Sequence, residues 1–319
     1  MMRRPSSNAL GALLIVVAAS GFGVLGPMVR YADQAGVSSL TLVTWRAGVG
    51  AIVVLLFVAA RAAGGTQLWR PWREIPRRDR FLVSMSAVTN AILNLAAFVA
   101  FLRIGIALTL LIFYVYPALV ALASMVWFGE RLDRLRWASL GISVTGAVLV
   151  VAGAGDLGSL DALGLGLALI AALGQTYYAM AAQRGFRQIP GPQAAVSTMG
   201  GAAVIYLVVA LVIGRLPEVG QPLASIAALL PVLVAGVIGA GLATVCFIAG
   251  IRLLGAARGT ILSTLEPVVG VTLAAILFGA VPTPVQLLGG ALIIAAGIVL
   301  QLPSGEVAEH EAVAELNAS

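Results

Sequence analysis

Residues 252–279 read RLLGAARGTILSTLEPVVGVTLAAILFG, an apolar run in which one acid, Glu266, precedes one proline, Pro267. Residues 103–129 read RIGIALTLLIFYVYPALVALASMVWFG and repeat its landmarks about 150 residues earlier. Gly105, Pro117 and Gly129 match Gly255, Pro267 and Gly279, with separations of 12 and 12 in both copies. A second echo, Ala9-Leu10-Gly11 against Ala162-Leu163-Gly164, opens each half. The chain therefore reads as two copies of one unit. Proline lacks the backbone donor and crowds the preceding turn, so Pro117 and Pro267 read as helix breaks inside apolar helices. Interrupted helices at matching places in two repeats point to the binding site of a membrane carrier.

The composition agrees. Of 319 residues, 61% are hydrophobic and 10% charged, with a mean hydropathy of +1.05. A soluble domain carries about 25% charged residues. The class is an all-α polytopic membrane protein, with the lipid bilayer as its surroundings. A spanning helix needs roughly 20 mostly apolar residues. Ten such runs are present: 8–29, 39–60, 81–102, 106–128, 137–153, 162–182, 193–213, 226–248, 258–279 and 285–302. They group as one five-helix unit over 8–153 and a second over 162–302, followed by an acidic tail over 303–319. Arg3, Arg4 and Ala18-Ala19-Ser20 imitate a cleavable signal. The run from Leu10 to Val29 is nevertheless long enough to span and belongs to the repeat, so it is expected to stay as the first helix.

The 19 basic residues are all arginine. With the N-terminus in the cytoplasm and ten alternating helices, Arg3, Arg4, Arg61, Arg70, Arg73, Arg77, Arg78, Arg80, Arg131, Arg134, Arg136, Arg184, Arg187, Arg252 and Arg258 fall inside. Only Arg30, Arg103 and Arg215 fall outside, and Arg46 lies within a helix. That bias follows the positive-inside rule and predicts a multi-pass protein of a bacterial inner membrane with both termini cytoplasmic. The basic balance thus reports topology and not a nucleic-acid partner. An odd number of helices per unit turns the second copy upside down. The expectation is two inverted five-helix repeats, the arrangement that supports alternating access.

One cysteine, Cys246, leaves no internal disulfide and no thiolate metal site, and the one histidine, His310, lies in the tail. There is no P-loop, dinucleotide fingerprint or metal-spaced cluster. No cofactor or metal is expected, nor ATP-driven transport by this chain alone. An intramembrane enzyme would want clustered acids or histidine, so the reading is not an enzyme.

The stretch Arg252-Leu253-Leu254-Gly255-Ala256-Ala257-Arg258, with Leu265-Glu266-Pro267 and Leu277-Phe278-Gly279, resembles the EamA-type family of the drug/metabolite transporter superfamily. Phe128-Gly129-Glu130-Arg131-Leu132 is similar to that family's helix-ending Gly-Glu; the second half departs, with Ala280 in its place. The resemblance covers nearly the whole chain. It implies a ten-helix exporter of small metabolites, closest to bacterial exporters of aromatic and other neutral amino acids. It also implies a central site between the repeats, drawn from the first, third, fourth, sixth, eighth and ninth helices.

Lone polar groups mark where such a site lies. Glu266 is the only acid well inside a helix; such groups face a cavity or a partner. It could hold a substrate ammonium or carry a coupling proton. It could equally cap backbone freed by Pro267, or pair with Arg46. Arg46 could attract a carboxylate or tie helices together. Ser86, Asn90, Asn94 and Phe98 recur every four residues, one helical face turned to the bundle. Their role is interhelical hydrogen bonding or cavity lining. Phe113, Tyr114 and Tyr116, and Gln175, Tyr177 and Tyr178, sit nearer mid-helix than a belt aromatic would. Phe22, Pro27, Thr244, Phe247, Ser263 and Thr264 complete the substrate-cavity candidates. Few charges and many aromatics suit a small neutral or zwitterionic substrate, an amino acid foremost. Another metabolite or a drug, and an uncoupled facilitator or channel, are the alternatives. Oligomeric state has no signal in the sequence.

Overall fold

The computed structural model describes residues 7–130, 132–153 and 161–300. Among them, nine helices are long and apolar enough to cross a membrane: α1 (Asn8–Gln34), α2 (Ser39–Ala63), α3 (Arg77–Gly105), α4 (Leu108–Phe128), α5 (Arg134–Ala152), α6 (Ala162–Gly185), α7 (Gly191–Val212), α8 (Ile226–Leu254) and α9 (Ala256–Phe278). A shorter apolar helix follows, α10 (Pro284–Val299). Its 16 residues measure about 24 Å, against a hydrocarbon core of about 30 Å. The run expected over 285–302 is therefore a helix shorter than a full span. The tail over 303–319 with His310, and Arg3, Arg4 and Arg131, lie outside the described residues.

Local chemistry sets where the helices start. Ser38, Asp133, Asp161, Ser225 and Thr283 each stand just before a helix and accept from the backbone N–H three residues on. That bond satisfies a donor the helix itself leaves free. Gln286 reciprocates at Thr283, a capping box. The arginine-rich stretch supplies the first turn of α3, which begins at Arg77 instead of 81, directly after Pro76.

The two repeated stretches break alike. Gly105 turns α3 into α4 with φ 78° and ψ 162°. Gly255 turns α8 into α9 with φ 85° and ψ 159°. This backbone region is essentially reserved for glycine. Both helices break a second time, at Tyr114–Val115 and at Thr264–Leu265. New segments then run Tyr116–Phe128 and Glu266–Phe278, each with proline as its second residue. The break thus falls just ahead of each proline, which occupies a first turn where its missing N–H costs nothing. Glu266, expected well inside a helix, opens the second segment of α9. Both segments end at a left-handed glycine, Gly129 at φ 66° and Gly279 at φ 64°.

Packing follows a regular scheme. α3 lies on α6 and α7; α8 lies on α1 and α2; α2 packs on α7, α4 on α9 and α5 on α10. Glycines allow the close approaches, as between helices in lipid generally. A Cβ on Gly174 of α6 would come within 2.8 Å of Leu93, and one on Gly21 of α1 within 2.9 Å of Ala243.

Hydrogen bonds tie the loops into two end layers. At one end the Arg70 backbone and the Gln193 side chain exchange two bonds of 2.9 Å. There the Gln188 amide also reaches Asp79, and Arg258 reaches the Leu300 carbonyl. Trp69 and Trp72 are exposed beside this layer, as interface anchors would be. At the other end Trp45 Nε1 donates to the Val219 carbonyl at 2.7 Å, and Arg103 meets Asp161 at 3.2 Å. The Gly164 amide and Arg103 hold the Asp161 carboxyl below the usual carboxylate range. Arg215 does the same to Glu218.

Candidate functional site

A polar cluster occupies the middle of the bundle. Asn90 and Asn94 lie on the face of α3 opposite the exposed Val88, Ile92 and Val99, so their half-open surface faces inward and not toward lipid. The Asn94 side-chain oxygen accepts from Arg46 Nη1 at 2.9 Å. The Asn94 amide nitrogen donates to the Asn90 carbonyl at 2.7 Å, and the Tyr206 hydroxyl donates to the same carbonyl at 3.4 Å. Arg46 Nε is buried with no hydrogen-bond partner. Glu266 is half-buried and acts electrostatically on Arg46, Tyr114 and Tyr116. Among the described residues Glu266 and Arg46 form no direct ion pair. The pairing weighed from the sequence is thus long-range attraction without contact.

Tyr116 and Ser263 bridge α4 and α9 through a 2.6 Å hydrogen bond. The Ser263 hydroxyl hydrogen is committed to the Thr260 carbonyl at 2.9 Å. Tyr116 is therefore the donor, since a serine hydroxyl has one hydrogen to give. Thr264 spends its hydroxyl on the Ile261 carbonyl at 2.6 Å and is buried. Phe113, Tyr114 and Tyr116 form a triangle of rings 5.1 to 6.5 Å apart. A second aromatic group joins α1, α6 and α8: Tyr178 stacks on Phe247 at 6.0 Å, and Phe22 meets Phe247 edge-on. The Tyr178 hydroxyl is buried without a partner.

Not every candidate joins the cluster. Tyr177 stands along the α6 row of exposed Ile170 and Leu173 but is itself half-buried against the core, with its hydroxyl beside the buried Ser86. Phe98 packs edge-to-face on Phe101 and against the group around Tyr206. Gln175 is half-buried on the side of α6 away from Leu169 and Leu173. Pro117 and Pro267 are buried at the segment starts. A separate groove of about 460 Å³ lies between the end of α1 and the start of α8, lined by Met28, Tyr31 and Pro231 among others. None of the cluster residues lines it.

Two residues were missed from the sequence. Tyr206, 1% exposed on α7, joins the Asn90 and Arg46 group; its only signal was a lone hydroxyl in an apolar run. Gln183 lies on a π-helical turn, Ala181–Gly185, at the end of α6. It accepts from the Ala256 amide at 2.9 Å and donates to Glu130. Beside it Arg252 donates to the Phe186 and Ile189 carbonyls at 3.0 and 2.9 Å. These bonds latch the ends of α4, α6, α8 and α9 together next to the Gly255 turn. Among the described residues no group of three or more His, Cys, Asp or Glu side chains could hold a metal ion.

Comparison with known proteins adds a family. A model described as the EamA-like transporter family matches residues 9–152 and again residues 162–302. A riboflavin transporter of Rhizobium johnstonii is 24% identical over 148 residues, 46% of this chain and 46% of that one. An uncharacterized transporter of Synechocystis sp. is 29% identical over 203 residues, 61% of this chain and 58% of that one. The chain spans about half the length of the curated relatives it matches. A protein of known crystal structure shares the fold, with a TM-score of 0.73 at 21% identity, covering 95% of this chain and all of that one.

Proposed function

This chain belongs to the EamA-like transporter family, and from that premise we propose that it exports a small neutral or zwitterionic metabolite, foremost an amino acid. The membrane would be the bacterial inner membrane. The family and the transporter-named relatives indicate a transporter and not an enzyme. The observation that carries the substrate reading is the charge balance at the centre. One acid, Glu266, and one arginine, Arg46, lie there within electrostatic reach of each other, among tyrosines and asparagines. A polyanion would want several basic groups; a zwitterion wants one of each sign.

The mechanism we propose is alternating access between two inverted five-helix repeats, with α10 as the tenth span. Its support is reciprocal packing. α3 on α6 corresponds to α8 on α1, and α3 on α7 corresponds to α8 on α2. Three further pairings, α2 with α7, α4 with α9 and α5 with α10, map onto themselves. The glycine turns at Gly105 and Gly255 are hinges at which the short segments before Tyr116 and Glu266 tilt. Orientation rests on arginine. Of the described arginines, Arg61, Arg70, Arg73, Arg77, Arg78, Arg80, Arg134, Arg136, Arg184, Arg187, Arg252 and Arg258 are assigned to the cytoplasmic end.

Counterflow in proteoliposomes tests this reading, using a panel of neutral amino acids together with riboflavin, the compound named in one relative. Saturable counterflow of an amino acid is the expected result. Saturable riboflavin movement alone moves the substrate to another metabolite. Linear, non-saturable flux makes the protein a channel.

A further inference from the structure

We propose that the open edge of the Arg46 guanidinium, its Nε and Nη2, is a binding site for a carboxylate, so that an α-amino acid is held at two points. This rests on the amino-acid reading above and adds the group that recognises the acid. An arginine offers five N–H donors in a planar fork. Asn94 engages Nη1 alone. Nε is buried and unpartnered, and no hydrogen bond to Nη2 is formed among the described residues. The Nε and Nη2 hydrogens lie side by side, the spacing that a carboxylate accepts bidentately. Glu266 is the nearby acid that could fill this edge, and it does not.

The edge is held ready from behind. Asn94 is fixed by its bond to the Asn90 carbonyl, which also receives the Tyr206 hydroxyl. Two helices, α3 and α7, thus orient an arginine from a third. That arrangement leaves a half-buried fork with its Nε out of reach of solvent, a geometry that a lysine could not reproduce. Glu266 attracts Arg46 across the cluster without touching it. The two groups are of opposite charge and do not pair directly, and an α-amino acid carries its ammonium and carboxylate on one carbon. Its ammonium belongs beside Glu266 and its carboxylate on Arg46.

A purely structural Arg46, balancing Glu266 and nothing more, predicts a different ligand pattern. The test is counterflow of labelled phenylalanine into proteoliposomes, with phenylalanine, phenethylamine and 3-phenylpropionate as competitors. The two analogues lack the carboxylate and the ammonium respectively. Arg46→Gln should weaken phenylalanine and 3-phenylpropionate by about 10- to 100-fold, the worth of a charge-assisted bond, and leave phenethylamine unchanged. Arg46→Lys keeps the charge without the fork and should weaken phenylalanine less, with phenethylamine again unchanged. Melting curves in detergent identify folded protein. Equal weakening of all three competitors in either folded variant, or no weakening of any, overturns the carboxylate site and leaves amino-acid export standing. Absence of wild-type counterflow of every neutral amino acid in the panel, in vesicles that do move riboflavin, overturns the amino-acid reading and this inference with it.

Discussion

Glu266 and Tyr116 hold the same position in their repeats, each the first residue of a helical segment and each directly before a proline. One is an acid and the other a neutral hydroxyl, and that difference makes the centre of the protein chemically asymmetric. At a helix start a carboxylate gains from the backbone dipole, which helps explain how a lone acid persists at mid-span. Glu266→Gln keeps the shape and removes the charge. If Glu266 carries a coupling proton, proton-coupled net flux should fall and its pH dependence flatten, while exchange of substrate for substrate persists only at raised substrate concentration, because the ammonium loses its counter-charge. An unaltered pH profile of net flux in folded Glu266→Gln protein rules that role out. The charged group acting on it is Arg46, and Glu266 acts in turn on Tyr114 and Tyr116. Asn90, Asn94 and Glu266 were legible in the sequence because a polar side chain in a long apolar run needs a partner. Tyr206 was not, because tyrosine is also at home in the interface belts.

At the scale of elements, the paired glycine turns are the most specific feature. Gly105 and Gly255 adopt nearly the same backbone angles, outside the reach of other residues. Gly105→Ala and Gly255→Ala should each lower stability by about 1–3 kcal/mol, the usual strain of that region. Gly129→Asn and Gly279→Asn, at left-handed helix ends, should cost less than alanine at the same places, because asparagine tolerates that conformation. Thermal melts of the purified variants measure both, and a Gly255→Ala protein as stable as wild type would remove the hinge from the mechanism. The spacing of glycine and proline was readable in the sequence. The site of the break was not, since proline fits a first turn as well as it interrupts a continuous helix. The π-helical turns at Ala181–Gly185 and Val237–Leu242 left no local mark at all.

For the molecule as a whole, small residues change partners between the halves in step. Gly21 on Ala243 corresponds to Gly174 on Leu93, and Gly50 on the Gly236 carbonyl corresponds to Gly201 on Ala87, the π-helical turn at Val237–Leu242 adding one residue between them in α8. Gly11 against Leu253 and Leu254 corresponds to Gly164 against Arg103 and Ile104. A two-fold relation between the repeats, as proposed above, accounts for all three. The proposed orientation has its own test. In a Cys246→Ala background, which removes the single cysteine, Gln67→Cys should be labelled only from the cytoplasm. Gln221→Cys, between α7 and α8, should be labelled from outside. Labelling of Gln67→Cys from outside intact cells would invert the assignment.

By itself the amino-acid sequence determined the membrane class, the repeat and most of the span boundaries. Those properties depend on local composition: apolar length sets a span, arginine clusters set its ends, and Gly105, Pro117 and Gly129 recur as Gly255, Pro267 and Gly279. Tertiary structure alone decided which side chains meet. That Asn94 takes one edge of Arg46 and leaves the other open, that Tyr177 sits beside Ser86 while Tyr178 stacks on Phe247, and that Gln183 latches the Gly255 turn could not be read in advance. The physical reason is the solvent. In lipid both the packed and the exposed faces of a helix are apolar, so its rotation leaves no hydrophobic stripe in the sequence and is set only by packing and by a few interhelical hydrogen bonds.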